Sequence, residues 1–198
     1  MKYETNTSNT SNVCESSAEY TAYSFEYVFA KRTLANLKYI DNEVEKRHEQ
    51  GLSDQDIHDI FEVTQLINSF VGLLIIPKEV YYRDIKYNAS FESVQANELM
   101  DALSKDESKY KSSYSYQDSF GYYHTEPLNA KSLARHFRNA VAHDHLTILP
   151  KDFNGNGSIS GIVFEDTSSQ GEYFRLELTI PEVRILLIAL CNLLIGKI

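Results

Sequence analysis

The side chains best suited to chemistry in this 198-residue chain lie in one short stretch, RHFRNAVAHDHL, at residues 135–146. Arg138 and His143 are five positions apart, and Asn139 directly follows the arginine. A guanidinium stays charged and presents a planar fork that matches phosphate oxygens, whereas an imidazole gains and loses a proton near neutral pH. This pair of side chains is therefore suited to holding a phosphate and moving a proton beside it.

The stretch lies in a locally basic part of an acidic chain. Residues 127–143 contain the cations Lys131, Arg135 and Arg138 and no Asp or Glu. The whole chain has a formal net charge of -9 and a pI near 5.1, which argues against binding nucleic acid or an anionic membrane through its overall field. We therefore expect an anionic partner to bind at this local patch.

Other interpretations of these polar groups stay open. Arg and His near the end of a helix often only complement its dipole, and Asp144 and His145 fit a solvated loop equally well. The stretch is also a candidate metal site, made of His136, His143, Asp144 and His145. However, an H-x-H pattern without Cys or a distant carboxylate matches tetrahedral zinc poorly. We predict that the site holds no metal and no cofactor.

A second candidate metal site is the segment DFNGNGSISGIV, residues 152–163. It matches the first nine positions of an EF-hand calcium loop, but Val163 stands where the loop needs a bidentate Glu. Asn-Gly pairs are the strongest short signal for a hairpin turn. We predict a turn here rather than a calcium site.

Apolar residues at helical spacing predict the elements that must position the basic stretch. Predicted helices run from Phe25 to about Gln50, from the N-cap Ser53 to before Pro77, over residues 91–104, from Pro127 to about His143, and from Pro181 onward. On the fourth helix, Ala130, Ala134, Phe137 and Val141 form an apolar stripe that we expect to face a core. The polar side chains of the stretch would then face elsewhere.

Two segments lack the apolar spacing that is typical of a helix. Residues 105–125 are rich in Ser, Lys and Tyr, which predicts a long surface loop. Its rings, interleaved with Lys109 and Lys111, are either base-stacking groups or ordinary surface residues. After His145, alternating apolar residues predict two or three short strands in a β-hairpin at about 146–180.

The remaining features bound the organisation of the chain. Residues 1–22 are rich in Ser, Thr and Asn and are expected to be a flexible tail, with one domain over 23–198. Cys14 and Cys191 form no disulfide framework, and we expect Cys191 to be a core residue. With no secretory signal and no apolar run of spanning length, we expect a cytoplasmic protein without membrane attachment.

The segment R-N-A-V-A-H, Arg138 to His143, resembles the R-polar-x3-H signature of the HEPN superfamily, whose members are helical bundles that often act as metal-independent ribonucleases. The resemblance covers roughly residues 24–198. It implies a mainly α fold, a bundle of four to five helices, with a small β-hairpin inserted before the last helix.

The resemblance also implies a function. A HEPN-type endoribonuclease would cleave RNA at a composite site in a homodimer, with Arg138 as phosphate clamp, His143 as proton-transfer or leaving-group residue, and Asn139 as orienter. Lys131, Arg135 and His145 would contact the RNA. Many such proteins are toxins or defence components, which implies an antitoxin or a nucleotidyltransferase-type partner. The alternative is a non-catalytic dimeric module that binds nucleotide, RNA or a partner protein.

Overall fold

The computed structural model describes residues 25–52, 62–75, 90–151 and 159–196. Within these ranges the helices are α1 (Phe25–Glu49), α2 (Glu62–Ile75), α3 (Val94–Lys105), α4 (Ala130–Ala142) and α5 (Ile180–Ile195). The strands are β1 (Tyr110–Ser112), β2 (Ser115–Gln117), β3 (Tyr123–Thr125), β4 (Leu146–Pro150), β5 (Ile159–Thr167) and β6 (Tyr173–Thr179). The described part of the chain therefore combines helices with a substantial amount of antiparallel strand.

The prediction of a mainly α bundle with one small hairpin is wrong. Strands β1, β6, β5 and β4 form, in that order, a four-stranded antiparallel sheet, and β2 pairs with β3 in a separate two-stranded sheet. The predicted hairpin at 146–180 is present as β4, β5 and β6, but these three strands make up most of the four-stranded sheet. The apolar alternation in β5 and β6 supplies the inner face of this sheet.

The prediction of a loop over residues 105–125 is also wrong, because this segment forms β1, β2 and β3. Tyr110 in β1 pairs with Leu176 of β6, a partner 66 residues further along the chain. Lys109 supports this pairing, since its Nζ donates to Glu182 Oε1 of α5 at 2.8 Å. A strand of three residues has little local signal and depends on such distant contacts.

Helix α4 begins at Ala130, three residues after Pro127, because Asn129 provides the N-terminal cap. Asn129 Oδ1 accepts from the backbone N–H groups of Lys131 and Ser132, and Ser132 Oγ accepts from the Asn129 backbone in return. This reciprocal capping box satisfies N–H groups that the helix itself leaves unpaired. The prediction that Pro127 occupies the first helical position is therefore wrong by one turn.

The core lies between the helices and the inner face of the larger sheet. Phe137 of α4 stacks on Phe164 of β5 with ring centroids 4.1 Å apart, and both rings are almost fully buried. Cys191 of α5 is fully buried, which confirms that it is a core residue. Sheet and helix therefore share one apolar interior, which fixes α4 against β5.

The predicted ends of the other helices can be compared with the structure where those residues are described. The first helix, predicted over Phe25 to about Gln50, is confirmed as α1, and α5 begins at Ile180 with Thr179 as its cap. Four predictions lie outside the described residues: the helix cap at Ser53, the helix end at Pro77, the tail over 1–22 and the Asn-Gly turn before Ile159. Among the described helices, none combines the length and apolarity that crossing a bilayer requires.

Candidate functional site

Helix α4 presents Arg138 and Asn139 as half-buried side chains at its C-terminal end, on the side that meets the sheet. Arg138 Nε and one terminal guanidinium nitrogen both donate to Asn139 Oδ1, at 3.2 Å and 3.0 Å. Asn139 Nδ2 in turn donates to Asp166 Oδ2 of β5 at 3.0 Å. The arginine is thus linked through one amide to a carboxylate on the sheet.

The same carboxylate holds a buried imidazole. His136 is fully buried, and its Nδ1 lies 2.7 Å from Asp166 Oδ2. Its Nε2 lies 3.2 Å from Glu126 Oε2, on the opposite side of the ring. Glu126 and Asp166 are themselves about 5% and 4% exposed, so both ring nitrogens meet carboxylates that are shielded from water.

Arg135 closes the outer end of this network. Its guanidinium makes an ion pair with Glu126 Oε2 and lies 2.8 Å from His136 Nε2. If the imidazole is neutral with its proton on Nδ1, Nε2 accepts from Arg135; if it is doubly protonated, both cations donate to Glu126. In either state, each buried charge of the network has a partner, which burial demands.

Aromatic rings confine the imidazole. Phe174 of β6 stacks on His136 with centroids 4.1 Å apart and planes inclined by 11°, and Tyr114 contacts it edge-on at 4.5 Å. The Arg135 guanidinium lies over the Tyr114 ring, 5.2 Å from its centroid. The two rings restrict the plane of the imidazole, and within that plane its two nitrogens face Asp166 and Glu126.

The network shifts the pKa values of its acidic groups. Burial works against ionisation of Asp166, but hydrogen bonds from His136 and Asn139 outweigh it and hold the pKa below its usual value. Burial likewise opposes ionisation of Glu126, and His136 and Arg135 bring its pKa below the usual value. Burial and the nearby charge of Asp166 raise the pKa of Tyr114 to about 12. Both carboxylates therefore remain ionised at neutral pH.

Comparison with known proteins identifies the family to which this chain belongs. The family HEPN pEK499 p136 matches residues 1–197. The chain belongs to this HEPN family. No curated protein and no solved structure matches it.

His143 lies at the end of α4 in this HEPN protein, and it is exposed to solvent. Its backbone N–H donates to Asn139 O at 3.0 Å, and its ring centroid is 6.0 Å from that of His145, which is also exposed. The intervening Asp144 has φ 57°, in the left-handed region, and His145 N–H closes on Ala140 O at 2.8 Å. These bonds form a Schellman-type cap that turns the chain from α4 into β4.

The structure places the predicted site residues of the HEPN protein in two groups. Arg138 and Asn139 are in contact with each other on the side of α4 that meets β5, whereas His143 and His145 lie at the exposed cap that follows. Lys131 is half-buried in the first turn of α4, at the opposite end of the helix from His143. The side chain of Arg135 is 39% exposed and carries an ion pair with Glu126.

Sequence reasoning missed the acids of this site. The predicted patch contained no acid because Glu126 precedes it by one residue and Asp166 lies on a strand 27 residues beyond Asn139. One signal was available: Asp166 continues the buried alternation of Ile162 and Phe164 along β5. A carboxylate at a core-facing strand position implies a buried partner. For His136, the sequence suggested only the role of a metal ligand.

The described residues of the HEPN protein contain no group of three or more His, Cys, Asp or Glu side chains suited to a metal ion. Glu126 and Asp166 approach His136 from its two opposite nitrogens, so these three residues do not converge on one point. The arrangement is a hydrogen-bonded network rather than a ligand set.

Proposed function

We propose that this HEPN protein is a metal-independent endoribonuclease that cleaves RNA at a composite site formed by two copies of the chain. The observation that carries the proposal is the pairing, at one end of α4, of an oriented guanidinium with an exposed imidazole. Arg138 is held by the Asn139 amide, which adds no negative charge, and His143 is open to solvent five residues later. Both belong to the R-N-x3-H segment of a chain that belongs to a HEPN family.

These groups suit cleavage through the ribose 2′-hydroxyl. The 2′-oxygen attacks phosphorus while its proton is removed, the bond from phosphorus to the 5′-oxygen breaks, and that oxygen takes up a proton. The products are a 2′,3′-cyclic phosphate and a free 5′-hydroxyl. In this proposal Arg138 holds the phosphoryl oxygens and His143 transfers one of the two protons, because an imidazole ordinarily titrates near neutral pH.

A second copy would complete the site. On an ideal helix, five positions separate two side-chain directions by about 140°, at about 100° per residue, and His143 is the C-cap residue that directly follows α4. Arg138 and His143 of one copy can therefore flank a groove but do not point along one line. A two-fold axis beside the C-terminal end of α4 would bring an arginine of one copy near the histidine of the other. We therefore expect RNA cleavage to require a homodimer.

RNA cleavage by substituted proteins tests this proposal. The purified protein is incubated with single-stranded RNA in EDTA, and the 3′ ends of the fragments are identified. Arg138→Ala and His143→Ala should each abolish cleavage without a change in fold or oligomer mass. Arg47→Ala and His48→Ala are matched controls, because they remove the same residue types from the C-terminal end of α1. Unchanged cleavage by both α4 variants would show that the active site lies elsewhere.

A mixed-dimer experiment tests the composite site. Arg138→Ala and His143→Ala proteins are each inactive in this proposal, but one site of a mixed dimer would contain both intact residues. Mixing the two proteins under conditions that exchange subunits should restore up to about a quarter of the wild-type activity, as one of two sites in half of the dimers is intact. No recovery from a demonstrated mixed dimer would contradict a shared site.

One observation favours the alternative of a non-catalytic binding module. Arg135, which we expected to contact RNA, is paired with the buried Glu126, and Asp166 adds a second buried carboxylate beside the basic face. These acids lower the positive charge available to a polyanion. Salt-sensitive binding of RNA or nucleotide without any cleavage by the wild-type protein would favour the module.

The proposal extends to biological role as an expectation from the family. A toxin or defence nuclease of this kind would be paired with an antitoxin or a nucleotidyltransferase-type partner. Expression of the wild-type protein in a bacterial host should then arrest growth, whereas His143→Ala should not. Equal growth with both proteins would argue against a toxic nuclease.

A further inference from the structure

We infer that Asp166, held by His136, is a positioning residue that sets the direction of the Arg138 guanidinium through the Asn139 amide. This inference rests on the proposed function for its catalytic meaning, although the positioning itself can be measured without catalysis. Asp166 contributes nothing to the R-N-x3-H segment in sequence and reaches it only because β5 packs against α4.

The chemistry of the amide carries the first step. Asn139 offers two donors at Nδ2 and acceptors only at Oδ1. Asp166 Oδ2, an acceptor, lies 3.0 Å from Nδ2, and the guanidinium donors of Arg138 lie 3.0 Å and 3.2 Å from Oδ1. A flipped amide would direct its oxygen at a carboxylate and its N–H groups at a cation. The acceptor oxygen of Asp166 therefore favours the amide orientation that accepts from Arg138.

The second step is the immobility of the carboxylate. Asp166 Oδ2 also accepts from His136 Nδ1 at 2.7 Å. The imidazole is fully buried against Phe174, whose backbone pairs with Asp166 across β5 and β6. Asp166 is thus held by its strand pairing and by the buried imidazole, and it restrains the Asn139 amide in turn.

A merely structural role would predict a different pattern. If Asp166 only stabilised the fold, its replacement would lower stability but leave the folded fraction with a normal Arg138. If it positions Arg138, the Asp166→Ala variant should show a disturbed arginine in the folded protein. Ala has no side-chain acceptor, so Asn139 Nδ2 loses its partner on β5, and the amide that accepts from Arg138 is no longer restrained.

The Arg138 side chain reports the positioning directly. In wild-type protein, we expect an Arg138 Nε–H signal with slow solvent exchange and a large heteronuclear NOE, because this N–H is hydrogen-bonded to Asn139 Oδ1. In Asp166→Ala, that signal should broaden or lose its NOE while the backbone amide spectrum shows that α4 remains folded. An unchanged Arg138 signal in folded Asp166→Ala would overturn the inference, whether or not the protein cleaves RNA.

A conservative variant provides the rescue test. One oxygen, Asp166 Oδ2, accepts from both His136 Nδ1 and Asn139 Nδ2, and the carbonyl oxygen of Asn at this position can accept both bonds. Asp166→Asn should therefore keep a restrained Arg138 Nε–H. If Asp166→Ala does not fold, Asp166→Val carries the test: loss of the restrained Arg138 Nε–H supports the inference, and an unchanged signal overturns it.

Kinetics then connect positioning with catalysis. Misplacing a reacting group by about 1 Å costs about a hundredfold in rate, so Asp166→Ala should lower kcat for RNA by about tenfold to a hundredfold, with a smaller change in KM. Asp166→Asn, which keeps the acceptor, should recover most of this loss. A normal kcat in Asp166→Ala, or no recovery in folded Asp166→Asn, would overturn the inference. Wild-type protein that cleaves no RNA would defeat the proposed function, and the Arg138 signal would still decide the positioning.

Discussion

Replacement of Asp166 by Asn should cost stability that depends on pH, because Asn resembles the protonated form of this carboxyl. Asp166 is about 4% exposed and accepts from His136 at 2.7 Å and from Asn139 at 3.0 Å. A hydrogen bond to a charged group contributes roughly 1.5–3 kcal/mol, and a neutral one roughly 0.5–1.5 kcal/mol. Asn can place its one carbonyl oxygen where Oδ2 accepts both bonds, but neither bond then has a charged acceptor. We expect the variant to lose about 3 kcal/mol at pH 7.

The sign of the pH dependence follows from the pKa of Asp166. The folded protein holds this pKa below the value of 3.8 that the unfolded chain has. Stability from the ionised carboxylate is therefore complete above the unfolded pKa and is lost as pH falls through the lower folded pKa. The difference between wild type and Asp166→Asn should be constant from about pH 7 to 5 and shrink below about pH 4.

Urea unfolding followed by far-UV circular dichroism measures this difference at several pH values. In a protein of this size, about 3 kcal/mol corresponds to a fall in Tm of roughly 6–12 °C at pH 7. Asp101→Asn is the matched control, since Asp101 is exposed on α3 and its replacement should change stability little at any pH. A cost for Asp166→Asn that is the same at about pH 7 and about pH 3.5 would refute the argument that charge, rather than shape, is what the buried network requires.

Three further predictions concern other parts of the molecule. Asp144 has φ 57°, a left-handed conformation that glycine adopts without steric cost and alanine does not. Asp144→Gly should therefore raise the free energy of unfolding by about 1 kcal/mol, whereas Asp144→Ala should not. Denaturant titration of both variants measures this. Burial raises the pKa of Cys191 to about 12, so in a Cys14→Ser background the native protein should resist a thiol reagent until it unfolds, and fast labelling would contradict this. Phe120 and Tyr123 are 86% and 76% exposed, so replacing either by Ala should change the free energy of unfolding by less than about 0.5 kcal/mol. If these rings stack on bases, the Ala variants should have a raised KM for RNA and normal stability. An unchanged KM would indicate that they are ordinary surface residues.

Local patterns in the sequence were sufficient for the helices and for the longer strands. The stripe that starts at Phe25 predicted α1 to within about one residue at its C-terminal end, and the alternation around Ile162 and Phe164 predicted β5. Helical hydrogen bonds join residues four apart, and strand alternation repeats every two residues. Both patterns can therefore be recognised in a short segment of sequence. The same holds for the Arg138, Asn139 and His143 segment, which was found by residue type and spacing alone.

Distant contacts decided the rest. Strand β1 has three residues and pairs with β6, which lies more than 60 residues away, so no window of sequence around Tyr110 contains its partner. The fold therefore contains a four-stranded sheet where local patterns predicted a hairpin. The start of α4 was set by the Asn129 cap rather than by Pro127, since a satisfied capping box fixes a helix end more firmly than a proline that is only compatible with one.

The sequence alone determined which groups this protein has for chemistry at a phosphate: a guanidinium, an amide and an imidazole within six residues of one helix. Only the tertiary structure decided how they are held. Asp166 and Glu126 meet His136 because β5 and the segment before α4 pack around one buried ring, and burial requires that each charge find a partner. Spacing along a helix is fixed by its repeat, whereas the approach of a strand to that helix depends on the packing of the whole core.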